Sequence, residues 1–184
     1  KQAIRRLSRS RSLDLSDSEI SDLSPLVDSR IEILLLRRNE ITDITPLQSL
    51  PELRWLDLSQ NPLGDLSPLS SCQKIETLWL GDTGAGDLAP LSALSALQHL
   101  GVRRSNVSSI AALEGLPLEY LGLGGNQVED LRPLRRMKSL KALDISGNPV
   151  NPGWCPIKSA TELRYKCAKL REETGWQADP STVE

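Results

Sequence analysis

The chain has 184 residues, of which 39% are hydrophobic, so it is long enough to bury the core of one domain. Its 22 basic and 24 acidic residues leave a net charge of −2, which argues against a surface devoted to nucleic acid or to anionic lipid. No stretch approaches the roughly 18 consecutive apolar residues of a membrane-spanning helix, so we expect no membrane insertion.

The first predicted element is a short N-terminal cap over residues 1–12, ahead of the repeats described below. Ile4 and Leu7 are its candidates for burial, and their spacing puts them on one face of a helical turn. The segment also carries four arginines, at Arg5, Arg6, Arg9 and Arg11. We favour a solvated cap; the alternative is a basic tail that binds an acidic partner.

A leucine-rich phrase then recurs over residues 13–150 with a period of 21 or 22 residues. Its clearest copy is LRWLDLSQNPLGDLSPL, residues 53–69. The middle leucine of the phrase falls at Leu13, Leu34, Leu56, Leu78, Leu100, Leu121 and Leu143. Such a period is the signature of a leucine-rich repeat solenoid, in which each repeat adds one strand and one return segment. Because one repeat cannot bury its apolar face alone, the seven copies must share a core.

Each repeat opens with a predicted β-strand, because L-x-x-L-x-L alternates apolar and variable positions. The leucines point into the solenoid, and the residues between them lie on its concave face. An asparagine that can bond to the turning backbone closes the strand at Asn39, Asn61, Asn126 and Asn148. Hydroxyl residues hold this position at Ser18, Thr83 and Ser105, where we expect a weaker ladder of hydrogen bonds.

The return segments predict short 3₁₀ or α turns on the convex side. Ser24-Pro25, Thr45-Pro46 and Ser67-Pro68 each pair a predicted N-cap residue with a proline at the first helical position. An aspartate precedes the turn at Asp22, Asp43, Asp65, Asp87 and Asp130. The fifth repeat has Ala111-Ala112 and no such aspartate, so we expect its turn to be the loosest.

Residues 151–184 are predicted to form a C-terminal cap with Trp154 at its junction with the last repeat. Apolar residues recur there every three or four positions, at Ile157, Ala160, Leu163, Cys167 and Leu170. This stripe predicts a capping helix over about 157–173, followed by a flexible tail. The whole pattern predicts an α/β solenoid: a leucine-rich repeat horseshoe with a parallel concave sheet of about seven strands.

The phrase D-[L/I]-[S/T]-P-L at residues 22–26, 43–47 and 65–69 resembles the short repeats of bacterial internalins. Similar repeats occur in the phosphatase-regulatory leucine-rich repeat proteins of eukaryotes. The resemblance implies a protein-binding fold but no particular partner, and the chain departs from internalins in its many arginines and its C-terminal cap. Cys155 and Cys167 resemble the disulfide-closed caps of secreted leucine-rich repeat proteins; the alternative is two reduced, buried thiols. We therefore favour an extracellular, cell-surface or periplasmic location over a cytoplasmic one.

The sequence holds no convincing catalytic, cofactor or metal site, and we predict no enzymatic activity and no cofactor. His99 lacks an aligned Cys or Asp partner. Residues 122–125 (GLGG) follow the repeat frame, and no Lys-Ser/Thr pair follows them as in a phosphate loop. Asp82-Thr83-Gly84 resembles an aspartic-protease phrase, but that chemistry needs a second carboxylate phrase, and no other copy exists.

The variable strand positions predict a partner-binding surface on the concave face. Its apolar centre is Trp55 and Trp79, since tryptophan is enriched among the residues that dominate binding energy. The Arg37-Arg38 and Arg103-Arg104 pairs can grip carboxylates or phosphates, or can form a solvated rim. The ten candidates are Ile33, Leu35, Arg37, Arg38, Trp55, Trp79, His99, Arg103, Arg104 and Tyr120. A flat, open floor is expected beside them, at Gly81, Gly101, Gly122, Gly124 and Gly125.

The leading hypothesis is a non-enzymatic protein-recognition module, monomeric, that binds a protein partner on its concave strands. A second hypothesis is a cytosolic regulatory or scaffold subunit of an enzyme, as in the phosphatase-regulatory proteins. A third is a passive spacer within a larger surface protein.

Overall fold

A computed structural model of the protein describes residues 11–151, which include all seven predicted repeats. The C-terminal cap beyond Asn151 lies outside these residues. The predicted helix, Trp154 and the proposed Cys155–Cys167 disulfide fall there, as does the N-terminal cap up to residue 10.

Seven short strands form one parallel sheet whose spatial order is the chain order. They are β1 (Ser12–Asp14), β2 (Ile33–Leu35), β3 (Trp55–Asp57), β4 (Thr77–Trp79), β5 (His99–Gly101), β6 (Tyr120–Gly122) and β7 (Ala142–Asp144). The seven middle leucines are direct partners across the sheet, so the register read from the sequence is confirmed. Each of these leucines is at most 5% exposed, and they line one continuous core.

Six 3₁₀ helices return the chain along the convex side. They are η1 (Ser24–Leu26), η2 (Thr45–Ser49), η3 (Ser67–Ser71), η4 (Ala89–Ala93), η5 (Ala111–Leu113) and η6 (Arg132–Arg136). The predicted N-cap role of Ser24, Thr45 and Ser67 is wrong, because each is the first residue of its helix. The N-cap positions are the residues directly before them, Leu23, Ile44 and Leu66, whose side chains make no capping hydrogen bond.

The caps are instead the aspartates two residues ahead of these helices. Asp43 accepts a hydrogen bond from the backbone amide of Thr45 at 2.8 Å, and Asp65 accepts one from Ser67 at 2.8 Å. The hydroxyl and the amide of Thr45 lower the pKa of Asp43, and those of Ser67 lower the pKa of Asp65. In the fifth repeat Ser109 takes this place, with a longer contact of 3.4 Å to the amide of Ala111.

Turn length follows repeat length and not the capping residues. η1 and η5 each have three residues, whereas the other four helices have five. Repeats one and five, the two that contain these helices, are 21 residues long, one fewer than the others. Both close with a type II turn whose third residue is left-handed, with φ of 61° at Asp28 and 84° at Gly115. The fifth turn is therefore short, as the first is, even though the first has the full Asp-x-Ser-Pro phrase.

The asparagine ladder is present where the sequence places it. Asn126 accepts the backbone amides of Ser105 and Val107 at 2.9 and 3.1 Å and donates to Val102 and Leu123 at 2.7 Å. One side chain thus satisfies buried backbone groups of two consecutive repeats. Where Ser105 replaces asparagine, its hydroxyl is 3.4 Å from the amide of Thr83, so the predicted weaker contact is confirmed.

Candidate functional site

The strand register arranges the concave side chains in two rows. The first row is Ser12, Ile33, Trp55, Thr77, His99, Tyr120 and Ala142, and the second is Asp14, Leu35, Asp57, Trp79, Gly101, Gly122 and Asp144. Neighbours within a row are about 4.8 Å apart, so consecutive repeats present their side chains to one another. The residues between the leucines therefore lie on one face of the sheet, as their alternation predicted.

The apolar side chains of β2 and β3 are open to solvent. Trp55 is 43% exposed and its direct partner Ile33 is 38% exposed. Leu35, on the same side of β2, is half-buried. We call Ile33, Leu35 and Trp55 the open half of the concave surface.

Trp79 and Tyr120 are placed differently. Both are half-buried, their ring centroids are 5.7 Å apart, and the rings are tilted by 58°. The Trp79 ring covers Gly101 on the next strand, where an added Cβ would lie 2.2 Å from Cε3 of the ring. The Tyr120 hydroxyl covers Gly122 of its own strand, where an added Cβ would lie 2.9 Å from it. We call these four residues the covered half.

The expectation of a flat, open glycine floor is therefore wrong. Gly101 and Gly122 lie beneath aromatic rings. A Cβ on Gly124 would lie 2.9 Å from Asp144 Oδ2, and one on Gly125 would lie 2.9 Å from Arg104 Cγ. Of the five glycines, Gly81 alone has room above it when the described residues are considered. A Cβ there would make only ordinary contacts, the nearest being 3.7 Å from the Arg103 carbonyl oxygen.

The four candidate arginines divide into two kinds. Arg38 donates to Asp17 at 3.2 Å, and Arg104 binds both carboxylate oxygens of Asp82 at 2.6 and 2.8 Å. In both pairs the partner lies in the preceding repeat.

The members of these two ion pairs, Asp17, Arg38, Asp82 and Arg104, belong to a row of residues just past the strands. The backbone of this row is left-handed in every repeat, with φ between 49° and 70°. The row is Asp17, Arg38, Gln60, Asp82, Arg104, Gly125 and Gly147.

Arg37 and Arg103 face a shallow cleft of about 310 Å³ over β3 to β6. Its lining also includes Asp57, Trp79, Gly81 and Asp82. The hydrogen bonds from Arg104 are the main reason that the pKa of Asp82 is lowered, with further attraction from Arg103 and Arg37. Sequence reasoning missed Asp57 and Asp82 as parts of this site. The signal for Asp82 was its 22-residue distance from Arg104, one repeat, which makes the two residues neighbours.

A row of alternating charge that sequence reasoning also missed runs along the other edge of the strands. It is Arg11, Glu32, Arg54, Glu76, Gln98, Glu119 and Lys141, each residue immediately preceding a strand. The neutral Gln98 interrupts the alternation between Glu76 and Glu119. Arg11 pairs with Glu32, Arg54 with Glu76, and Lys141 with Glu119. Opposite charges on neighbouring strands stabilise their pairing, and like charges in the same positions would oppose it.

The remaining chemical groups of the described residues are ordinary. Residues 11–151 contain no cluster of three or more His, Cys, Asp or Glu that could hold a metal ion. His99 is half-buried in the first concave row, between Thr77 and Tyr120. Cys72 is a core residue, as expected, and burial raises the pKa of its thiol to about 11. The longest helices within residues 11–151 have five residues, so none of them can span a membrane.

Comparison with known proteins agrees with this architecture. The family model for leucine-rich repeats (two copies) matches residues 29–71 and 51–93. Internalin C2 from Listeria monocytogenes is similar over 75% of this chain and 62% of its own, with 36% identity and a TM-score of 0.71. Internalin F from the same organism is 28% identical over 79% of this chain and 56% of its own, with a TM-score of 0.62. No curated protein sequence matches the chain.

A more distant structure shares the fold alone. A leucine-rich repeat protein of Leptospira interrogans is 19% identical over 96% of this chain and 44% of its own, with a TM-score of 0.72. The chain thus spans less than two thirds of each of these three structures.

The repeat, the single parallel sheet and the 3₁₀ returns define the protein as a leucine-rich repeat solenoid. Within that class the chain is internalin-like, in agreement with the Asp-Leu-Ser-Pro-Leu phrase and with its similarity to internalin C2. Leucine-rich repeat domains of this kind are protein-interaction modules.

Proposed function

We propose that the chain is a non-enzymatic recognition module that binds a protein partner on its concave strand face. The observation that carries the proposal is the exposure of Trp55 and Ile33 as direct neighbours on the second and third strands of that face. A tryptophan side chain buries about 150–250 Å² when covered, so leaving it in water is unfavourable unless a partner covers it.

The location of the exposed apolar residues supports the concave face. Within residues 11–151, three large apolar side chains are exposed: Val27, Ile33 and Trp55. Val27 stands alone at the end of η1 on the convex side, where a single apolar residue needs no explanation. Ile33 and Trp55 instead lie side by side on neighbouring strands, with Leu35 on the same strand as Ile33, so one partner can bury them together.

We further propose that the protein is exported or displayed at a cell surface. Its similarity to internalin C2 supports this location, as does the resemblance of Cys155 and Cys167 to the disulfide-closed caps of secreted leucine-rich repeat proteins. The competing proposal is a cytosolic regulatory or scaffold subunit. The mass of the intact, unreduced chain separates the two: loss of two hydrogens at these cysteines supports export, and free thiols support the cytosolic role.

The test of the binding face is affinity capture from the native source with wild type, Trp55→Ser and Val27→Ser. The two variants each remove one exposed apolar side chain, from the concave and the convex side respectively. Trp79 is unsuitable for this purpose, because its ring packs on Gly101 and its removal disturbs the fold. A protein retained by wild type and Val27→Ser but lost by Trp55→Ser is the expected result. Equal retention by all three would contradict a concave site and favour a passive spacer or another face.

A further inference from the structure

Two guanidinium groups face the central cleft with donors to spare. Arg37 donates through Nε to Gln60 at 3.1 Å, and Nε of Arg103 lies 3.8 Å from Asp144. Among residues 11–151 the terminal nitrogens of Arg37 and Arg103 have no hydrogen-bond partner. Arg104 differs, because its Nε and one terminal nitrogen are held by Asp82. Arg37 and Arg103 are therefore the donors that a bound group can engage.

The cleft between them has room for one or two side chains. Its volume is about 310 Å³, at the lower end of the range for pockets that bind small molecules. Gly81 leaves its floor open, and the Trp79 ring, fixed against Gly101 and Tyr120, lines it with an apolar surface. An extended peptide crossing the strands can place a polar side chain over Gly81 and an apolar one against the ring.

The charge of the cleft selects among anions. Arg37, Arg103 and Arg104 line the cleft together with Asp57 and Asp82. Asp144 adds a third carboxylate, 3.8 Å from Nε of Arg103, so positive and negative charges balance. A bound carboxylate adds one negative charge to this balance, whereas a phosphate group adds about 1.5 to 2 at neutral pH, so the cleft favours the carboxylate.

We propose that this cleft binds an Asp or Glu side chain of the partner, held between Arg37 and Arg103 with a neighbouring apolar residue on Trp79. The inference rests on the proposed function, since it names the chemistry that the concave surface recognises. The partner element is an extended acidic and apolar segment, and the exposed Ile33 and Trp55 continue its apolar path toward the N-terminal repeats.

The first experiment is selection of short random peptides, displayed on phage, against the intact chain. Selected peptides are expected to be rich in Asp or Glu next to an aromatic or aliphatic residue. Replacing that acid by Asn or Gln in a synthetic peptide should weaken binding about tenfold, the loss of one charge-assisted hydrogen-bonded contact.

The second experiment pairs that peptide change with changes in the protein. Arg37→Gln/Arg103→Gln should weaken binding of the acidic peptide about tenfold and should hardly change binding of its neutral counterpart. The two changes together form a double-mutant cycle, which isolates the contact between the acid and the arginines. Arg135→Gln/Arg136→Gln is the matched control, because it removes the same charge from exposed residues of η6. Gly81→Leu, which keeps every charge but fills the cleft, should abolish binding of both peptides.

The outcomes separate the two proposals. If Trp55→Ser abolishes binding of the selected peptides but Arg37→Gln/Arg103→Gln leaves it unchanged, the acidic cleft is overturned and the concave binding site is retained. Selection that yields only peptides indifferent to both changes would overturn both. Tighter binding of a phosphoserine peptide than of its glutamate counterpart would assign the cleft to phosphate and reject the carboxylate.

Discussion

The open and covered halves of the concave surface each contain a tryptophan, and the two tryptophans differ in solvent exposure. Trp55 and Trp79 stand on consecutive strands, yet Trp55 is 43% exposed and Trp79 is half-buried. The partner of Trp55 on the next strand is Thr77, whereas the partner of Trp79 is Gly101, which leaves room for the ring. The exposure of these two tryptophans is thus decided by the residue one repeat further on, and less by the tryptophan itself.

The largest predicted effect tests whether the open and covered halves share one hydrophobic core. Leu100 is fully buried in β5, directly between Leu78 and Leu121. Leu100→Asp loses apolar burial and places an unpaired charge in the core, so it should cost more than about 4 kcal/mol and unfold the chain. Circular dichroism and urea titration measure this effect. A folded variant of wild-type stability would refute the register of the stack.

The next prediction compares the two tryptophans directly. Trp79→Ala removes a ring that packs on Gly101 and Tyr120 and should destabilise the fold by about 1–3 kcal/mol. Trp55→Ala removes an exposed ring and should change stability by less than about 0.5 kcal/mol. Urea titration of both variants gives their free energies of unfolding and tests this difference. Equal losses of stability in the two variants would mean that the two halves do not differ in packing.

A smaller effect tests the cause of the difference. Gly101→Ala puts a methyl group where the Trp79 ring lies, so the ring must move outward at a cost of about 1 kcal/mol or more. Its control is Gly81→Ala, whose methyl group meets nothing closer than 3.7 Å. Quenching of tryptophan fluorescence by acrylamide should increase in the first variant and stay unchanged in the second. No increase with Gly101→Ala would show that glycine is not what admits the ring.

The smallest effect concerns pH. The pKa of Asp82 is lowered chiefly by its hydrogen bonds with Arg104, so the folded state favours the ionised carboxylate. The resulting stability is present above the pKa of an unfolded aspartate, about 3.9, and is lost as pH falls through the lower folded value. Asp82→Asn should therefore be less stable than wild type near pH 7, and the difference should narrow as the pH falls below about 3.9, the pKa of an unfolded aspartate. A gap independent of pH would assign the loss to packing. The pair is exposed, so the effect is small.

The fold was predictable because the repeat imposes it. Leu13, Leu56 and Leu100 occupy equivalent positions in copies of one phrase, so the phrase determines register, strand order and core together. The N-cap assignment failed for a local reason: Ser and Asp can both cap a helix, and which one does so depends on where the 3₁₀ turn begins. The aspartates, such as Asp65, hold that role.

The binding surface was predictable only in part. Its residues follow from the register, and Trp55 lies in the open as expected. What the pattern does not specify is the direction in which a long side chain leans, because rotamers depend on the space that neighbours leave. The covering of Gly101 by Trp79 and the separation of Arg37 from Arg104 are both of this kind.

The row of alternating charge beside the strands restricts how this solenoid can lengthen. Its neighbouring members, such as Arg54 and Glu76, have opposite charges. Duplication of one repeat would set two like charges side by side, as in Arg54 beside a second Arg54, and would weaken that junction. Duplication of two consecutive charged repeats preserves the alternation. An engineered extension between Arg11 and Glu76 should therefore be more stable when it adds repeats in pairs.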